Sequence, residues 1–337
     1  MSELEPIDPS KALELYLEDR RGNLSRGTII NHRSRLSSFV EWLDEREITN
    51  LNELTGRLIK EYQIEGRKDS DWAPATEKGM MDTTRVFIRW CESIEAVESG
   101  LSQRVQSPAV KDTDMARHEQ LDSQTAQSVL NNLERYHYCS RAHVTLAVMW
   151  HTMARKGAVR SLDLQDYDAD ERYLQFKHRP DTDTPLKNKT KSQRHVAISE
   201  SIADLLDDWI EHKRPDVTDD YGREPLITTS KGRIAGSTIS RYAYKWTQPC
   251  RHDGTCPLGR DPKTCDATDH SRVSTCPESV SPHPFRRGSI THWLRSDVPS
   301  QAVSGRADVS ERVIEKHYDE RSERERMEQR RSYLGNI

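Results

Sequence analysis

Apolar residues recur every three or four positions through most of the first hundred residues, which is the period of an amphipathic α-helix. In one such segment Leu36, Phe39 and Leu43 fall on a single face, with polar residues between them. Proline residues stand at the start of two of these segments, where the first turn of a helix accepts them. We therefore expect an all-helical domain over 1–105.

A different period appears in the second half of the chain. Leu174 and Phe176 alternate with polar residues, and Val196 and Ile198 do the same after a polar turn. Alternation of this kind is typical of strands with one buried face, and two such runs predict a hairpin. Because helical patterns surround them, we expect a mainly α fold with a small antiparallel β-sheet.

A stretch without periodicity separates the two halves. We interpret 106–120 as a linker and 121–337 as a second, α+β domain. Within that domain, 250–276 stands out as a cysteine-rich insertion.

The chain of 337 residues is very polar, with 31% charged residues. We find no run of about 18 apolar residues and no basic-then-apolar signal at the N-terminus, so we expect a cytoplasmic protein outside the membrane. The net charge of −4 is unusual for a protein that binds nucleic acid, although segregation of charge between faces would permit it. The acidic, lysine-poor composition leads us to the hypothesis of a halophilic source.

Five polar residues of the second half are candidates for chemistry. Arg155 follows an apolar helix, Lys189 lies in the turn of the hairpin, and Tyr318 follows a short helical stretch. His283 and Arg286 are one helical turn apart, so both can face one ligand. Taken singly, each has an ordinary explanation, such as a helix cap, a turn residue or a packed aromatic.

Taken in order, these residues resemble the active site of the tyrosine recombinase family (phage integrase, Xer-like). HTMARKGAVRSLDLQDYD resembles the T-G-x-R box, with Met153 where glycine is usual and Ala158 where glutamate is usual. LKNKTKSQRHVAIS resembles the K-T-x-x-S-x-R hairpin, and SPHPFRRGSITHWL resembles H-x-L-R-H. The N-terminal helices also resemble the core-binding domain of the family, and the resemblance covers about 9–332.

The resemblance implies a role for each residue. Tyr318 would attack a DNA phosphodiester to give a 3′-phosphotyrosyl link, and Arg155 and Arg286 would hold the phosphate oxygens. His283 would act as the base or proton shuttle, and Lys189 would protonate the leaving oxygen. The family needs no metal or cofactor for this reaction.

One motif departs from the family pattern. The family has Gly-His or Gly-Trp about nine residues before the tyrosine, whereas here Gly305-Arg306 lies twelve residues before Tyr318. Either an insertion displaces the motif and Arg306 takes the place of the histidine, or the position is lost.

The resemblance also implies double-stranded DNA at a specific site as the partner, bound by a homotetramer on paired sites. The alternatives are a non-cutting, zinc-containing DNA-binding protein derived from the same fold and a type IB topoisomerase-like DNA-relaxing enzyme. We expect five basic residues to contact DNA, and the alternative is that they are ordinary solvated charges. They are Arg26, Arg33, Lys78, Arg85 and Lys191.

A further cluster lies outside these motifs. Cysteines crowd into a stretch with few apolar residues, at Cys250, Cys256, Cys265 and Cys276, with His252 and His270 as alternates. Such clusters in cytosolic proteins more often bind metal than form disulfides. We expect a structural zinc site here, and free thiols are the alternative because the spacing is wide.

Overall fold

The computed structural model describes residues 4–110, 121–319, 321–331 and 334. The chain divides into two compact units, Met1–Arg117 and His118–Ile337. Most of the predicted linker, 111–120, lies outside the described residues. No helix in the described ranges is long and apolar enough to cross a membrane.

The N-terminal unit is helical throughout its described part. Its α-helices are α1 (Pro9–Arg20), α2 (Arg26–Asp44), α3 (Gly56–Lys68) and α4 (Pro74–Ser93), with 3-10 turns at Leu51–Glu53 and Leu101–Arg104.

Side-chain caps and a shared apolar core explain these helices. The side chains of Asp8, Ser25 and Thr55 each accept a hydrogen bond from a backbone N–H in the first turn of a helix. Helices α1, α2 and α4 bury Tyr16, Phe39 and Phe87 completely. The apolar residues that recur at helical spacing in the sequence therefore form the core of this unit.

The second unit holds further helices and all five strands of the described chain. Its helices are α5 (Ser123–His137), α6 (Arg141–Thr152), α7 (Lys156–Ser161), α8 (Glu200–Asp208), α9 (Gly236–Trp246), α10 (Pro249–His252), α11 (Pro282–Arg295), α12 (Ser300–Ala307), α13 (Glu311–His317) and α14 (Glu323–Arg331). Helix α8 continues as a π-helical turn over Trp209–Lys213. Short 3-10 turns lie at Leu164–Asp166, Pro180–Thr182, Lys189–Ser192, Asp266–Thr268 and Val273–Thr275.

The strands form two small antiparallel sheets. β1 (Tyr167–Asp168), β2 (Tyr173–Phe176) and β3 (Arg194–Ala197) pair in that order, and β4 (Thr228–Thr229) pairs with β5 (Gly232–Arg233). Leu174 lies opposite Val196 in the β2–β3 ladder, and both are buried. The predicted fold class, mainly α with a small antiparallel sheet, is confirmed.

Two apolar clusters stabilise the second unit. The larger one joins α5, α6, the β2–β3 hairpin, α8 and α9, and includes Val144, Phe176 and Leu206. The smaller one lies between α11, α12 and α13 and contains Met153 and Tyr318. The candidate site residues are therefore carried on elements anchored in two adjoining cores.

Candidate active site

Tyr318 directly follows α13, and its side chain is only 7% exposed. Thr291 Oγ1 donates a hydrogen bond to the Tyr318 carbonyl at 3.1 Å. The Arg287 guanidinium lies over the tyrosine ring, 5.6 Å from its centroid. The predicted nucleophile is thus packed against the helices of its own unit.

The end of helix α12 collects arginines from three different elements. Arg194 Nε donates to the carbonyl of Arg306 at 2.9 Å. Arg286 Nη2 donates to the carbonyl of Ala307 at 2.7 Å. Arg155 Nη1 pairs with the carboxylate of Asp308 at 2.6 Å. Cations are favourable at a helix C-terminus because its carbonyls carry partial negative charge.

Arg286 is the most deeply placed of these cations. Its side chain is 2% exposed, and its Nη1 is buried without a hydrogen-bond partner among the described residues. Burial and the nearby Arg155 cation lower the pKa of Arg286, Tyr318 raises it in part, and the resulting pKa is about 10. The guanidinium remains charged near pH 7, so the site holds a buried positive charge beside the tyrosine.

His283 stands one helical turn before Arg286 at the start of α11. Partial burial lowers the pKa of His283 below its ordinary value, and the cations Arg286, Arg287 and Arg155 lower it further. A neutral imidazole is therefore favoured at neutral pH, and a neutral imidazole can accept a proton. The structure brings Arg155, His283, Arg286 and Tyr318 into one electrostatically coupled group.

Lys189 lies on the loop between β2 and β3, in the 3-10 turn Lys189–Ser192. Its side chain is exposed, and its backbone is left-handed, with φ of 57°. Asn188 and Ser192, which lie on either side of Lys189 in the chain, both donate hydrogen bonds to Asp308. Because Asp308 also pairs with Arg155, these bonds connect the loop to the arginine cluster.

Arg306 is oriented differently from the other candidates. Its Nε and Nη2 donate to the carbonyl of His151, at 3.2 and 2.9 Å. Its guanidinium also lies 4.5 Å from the ring centroid of Trp293. The catalytic role for Arg306 stays a prediction, and these contacts favour a supporting one.

Sequence reasoning missed three residues of this site. Arg194 is half-buried and stacks on Phe176 at 4.4 Å, Arg287 covers the Tyr318 ring, and Asp308 binds Arg155. Arg194 was within reach of the sequence, since Ser192-Gln193-Arg194 matches the S-x-R end of the K-T-x-x-S-x-R pattern, one position closer to Lys189-Thr190 than the pattern has it. The sequence carries no comparable signal for Asp308.

The predicted DNA-contacting residues differ in their surroundings. Arg26, Arg33 and Lys191 are exposed. Lys78 and Arg85 instead pair with Asp82 on the same helix, at 3.0 and 3.1 Å. Their contribution to DNA binding stays a prediction, and the intrahelical pairs leave them less available to a phosphate.

Arg85 has further bonds within the N-terminal unit. Its Nε donates to the carbonyl of Val105 at 2.9 Å, and its Nη2 donates to Ser107 Oγ at 2.7 Å. Arg85 thus fixes the segment that leaves α4.

The four cysteines of the insertion line one small cavity of about 20 Å³. Within the described residues, however, no three His, Cys, Asp or Glu side chains stand in an arrangement that could hold a metal ion. His270 is exposed, whereas the side chain of His252 is buried, with its Nδ1 3.0 Å from Asp253 Oδ1. Cys91 and Cys139, outside the insertion, are buried core thiols.

Comparisons with known proteins agree with this architecture. No family model matches the chain. Tyrosine recombinase XerC of Psychromonas ingrahamii is 21% identical over 325 residues, which cover 95% of this chain and 94% of that protein.

Two solved structures show the same fold. The Tn1549 transposon integrase in complex with a circular intermediate DNA matches 97% of this chain and 99% of its own, with a TM-score of 0.63 and 12% identity. The lambda integrase tetramer bound to a Holliday junction matches 94% of this chain and 80% of its own, with a TM-score of 0.63 and 14% identity. The chain is thus similar to tyrosine recombinase XerC over nearly the whole length of both proteins, and it shares the fold of these two integrases.

Proposed function

We propose that the chain is a site-specific DNA recombinase that cuts and rejoins DNA through a covalent 3′-phosphotyrosyl intermediate on Tyr318. The observation that carries the proposal is the buried Arg286 cation beside Tyr318, with one N–H donor unpaired among the described residues. A buried unpaired donor costs about 1–3 kcal/mol, and an anion such as a phosphate oxygen would satisfy it.

The two arginines supply the electrostatic part of the reaction. When the tyrosine oxygen attacks phosphorus, negative charge grows on the non-bridging oxygens. Arg155 and Arg286 converge from α7 and α11 and can each bind such an oxygen in the planar geometry that guanidinium favours. A preorganised donor of this kind stabilises the transition state by on the order of 3 kcal/mol.

Proton transfer accompanies the bond exchange. The Tyr318 oxygen forms a bond to phosphorus, and the bond from phosphorus to the 5′ oxygen breaks. His283 accepts the tyrosine proton, as its lowered pKa allows. Lys189 gives a proton to the departing 5′ oxygen, and the reverse sequence on a second strand rejoins the DNA without an external energy source.

The alternatives are less well supported. A DNA-binding protein that no longer cuts would have no need for Arg155, His283, Arg286 and Tyr318 in one electrostatically coupled group. The helical N-terminal unit and the match to XerC favour recombination over topoisomerase-type relaxation.

A trapping experiment tests the cutting activity. The probe is a library of nicked duplexes randomised around the nick, so that cleavage releases a short fragment and the covalent adduct accumulates. Adducts that survive detergent are recovered and sequenced, over a range of salt concentrations because phosphate contacts weaken steeply with salt. The range extends to high salt, where the hypothesis of a halophilic source places the activity.

The expected result is an enriched sequence in adducts of the native chain and no adduct with Tyr318→Phe. Tyr221→Phe is the matched control, because that side chain is 52% exposed and should still give adduct. Absence of adduct with the native chain across all salt concentrations would defeat the proposal.

We further propose that four copies act together on two paired sites. The support is the fold shared with lambda integrase, whose structure on a Holliday junction is a tetramer. Mass measurement of the complex on a four-way junction made from the trapped sequence tests this, and a complex with one or two chains would contradict it.

We also propose that the insertion binds one structural zinc ion. The support is the shared cavity lined by Cys250, Cys256, Cys265 and Cys276, in a segment with only short helical turns. Four thiolates are a common structural zinc set, and the ion would supply folding energy that this segment lacks.

Metal analysis of protein purified without added metal tests the zinc proposal. One zinc per chain is expected, with loss of the ion in Cys265→Ser and retention in the control Cys91→Ser, whose thiol is buried in the other unit. Protein that carries no zinc and gains no stability on zinc addition would contradict it.

A further inference from the structure

Asp308 receives hydrogen bonds from two separate elements of the candidate site. Its Oδ2 accepts from Arg155 Nη1 at 2.6 Å and from Ser192 Oγ at 2.7 Å. Its Oδ1 accepts from Asn188 Nδ2 at 3.2 Å. The carboxylate is 13% exposed, so it joins the arginine and the hairpin loop from a largely buried position.

We propose that Asp308 is a positioning residue that fixes the Lys189 loop relative to Arg155. In this arrangement the proton donor to the leaving oxygen and the phosphate-binding cation keep a constant spacing. The inference rests on the proposed function, since Lys189 matters only if a leaving oxygen must be protonated.

The backbone conformation of the loop shows why contacts with Asp308 are needed to hold it. Lys189 adopts a left-handed conformation, which costs a residue other than glycine about 1–2 kcal/mol. Strained conformations of this kind persist where surrounding contacts hold them. Asn188 precedes Lys189 directly and Ser192 is 2% exposed, so Asp308 grips the loop on both sides of the strained residue.

The contact with Arg155 is compatible with DNA binding. It uses Nη1, one of several N–H groups of the guanidinium, so the other groups can face a phosphate at the same time. The carboxylate also favours the charged forms of the buried cations Arg194 and Arg286. These features indicate that the Arg155–Asp308 contact remains in place during the reaction. They argue against a contact that a DNA phosphate must displace before it can bind Arg155.

Asp308→Asn removes the charge with little change of backbone preference, because asparagine tolerates the left-handed conformation found at Asp308. A matched control exists at the end of α11. Asp297 is also left-handed and is exposed, so Asp297→Asn makes the same chemical change outside the site. Ser192→Ala removes the bond to Asp308 and the bond that Ser192 Oγ accepts from the Asn188 backbone N–H, and it leaves the Arg155–Asp308 pair intact.

The test compares two forms of the trapped nicked duplex. One has the natural 5′ oxygen at the scissile position, and the other has a bridging 5′ sulfur. A thiol has a pKa near 8.5, so sulfur leaves without a proton and does not need Lys189. Single-turnover cleavage rates are measured for native protein, Asp308→Asn, Ser192→Ala and Asp297→Asn.

For the oxygen substrate we expect Asp308→Asn to lower the cleavage rate by about 10²-fold, the usual contribution of a positioned proton donor. Ser192→Ala should lower it less. For the sulfur substrate both variants should cleave at close to the native rate, and Asp297→Asn should match the native protein on both.

Other outcomes are equally informative. Equal losses on the two substrates would overturn the proposal, because the defect would then not act through proton donation. An unchanged or faster rate in Asp308→Asn would also overturn it. If Asp308→Asn fails to fold, Ser192→Ala decides by the same criterion. If the native protein cleaves neither duplex, the proposed function itself fails.

Discussion

Arg306 donates two hydrogen bonds to the backbone carbonyl of His151, at 3.2 and 2.9 Å. His151 lies in the last turn of α6, directly before the segment that leads to Arg155. Arg306 therefore ties α12 to the helix that precedes Arg155, and the indole of Trp293 covers the Arg306 guanidinium.

From this contact we predict that Arg306→Ala lowers the free energy of unfolding by about 2 kcal/mol, as expected for bonds from a charged donor. Cleavage should fall less than in Arg286→Ala, for which a loss of about 10²–10³-fold is typical of a transition-state donor. Denaturant unfolding and single-turnover cleavage measure the two effects. A stable Arg306→Ala protein that cleaves as slowly as Arg286→Ala would show that Arg306 touches the phosphate.

Met153 occupies the family's glycine position, and its φ of 54° explains why glycine is usual there. The side chain is fully buried in the cluster that holds Tyr318. Both Met153→Gly and Met153→Ala should lose about 2–5 kcal/mol of packing. Because glycine relieves about 1 kcal/mol of backbone strain, we expect Met153→Gly to unfold at a higher denaturant concentration than Met153→Ala.

The opposite order of those two midpoints would show that strain at Met153 is negligible. Tryptophan fluorescence during urea unfolding gives both midpoints.

Local patterns account for what the sequence predicted well. Helical spacing around Leu36 and Phe39, and alternation at Leu174 and Phe176, depend on neighbours a few positions away. The arginine, histidine and tyrosine positions came from motif order.

Contacts between distant segments account for what the sequence did not reveal. Arg155 and Asp308 are separated by 153 positions, and Arg306 and His151 by 155. Nothing in the composition around Asp308 distinguishes it from the many other acidic residues. The left-handed conformation of Met153 could not be predicted from the sequence either, although the T-G-x-R box has glycine at this position.

Gly288 allows a close approach between α11 and the start of the second unit. A Cβ at this position would lie 1.8 Å from the Leu121 carbonyl oxygen. We predict that Gly288→Ala destabilises the protein by about 3 kcal/mol or more, since the obstacle is backbone. Gly157→Ala is the control, because nothing lies within 4 Å of its Cβ position in helix α7.

Thermal unfolding of both glycine variants checks this prediction. Gly157→Ala should keep the native midpoint or raise it slightly, since alanine favours helix by about 1 kcal/mol. Equal midpoints for the two variants would contradict the close approach at Leu121.

The lowered pKa of His283 predicts the acid side of the rate profile. The imidazole must be neutral to accept the Tyr318 proton, so cleavage should fall as the pH drops through this pKa, below about 6.5. Single-turnover rates from pH about 5 to 8 measure the profile. In His283→Gln the rate should be low and this acid limb absent. An acid limb that survives in the variant would assign the titration to another group.

The covalent link between Tyr318 and DNA can be located directly. Digestion of the trapped adduct with nuclease and trypsin, followed by tandem mass spectrometry, identifies the amino acid that carries the DNA. We predict a phosphodiester that joins the Tyr318 oxygen to a 3′ end, with a free 5′-hydroxyl on the released strand. A link to any other residue, or to a 5′ end, would contradict it.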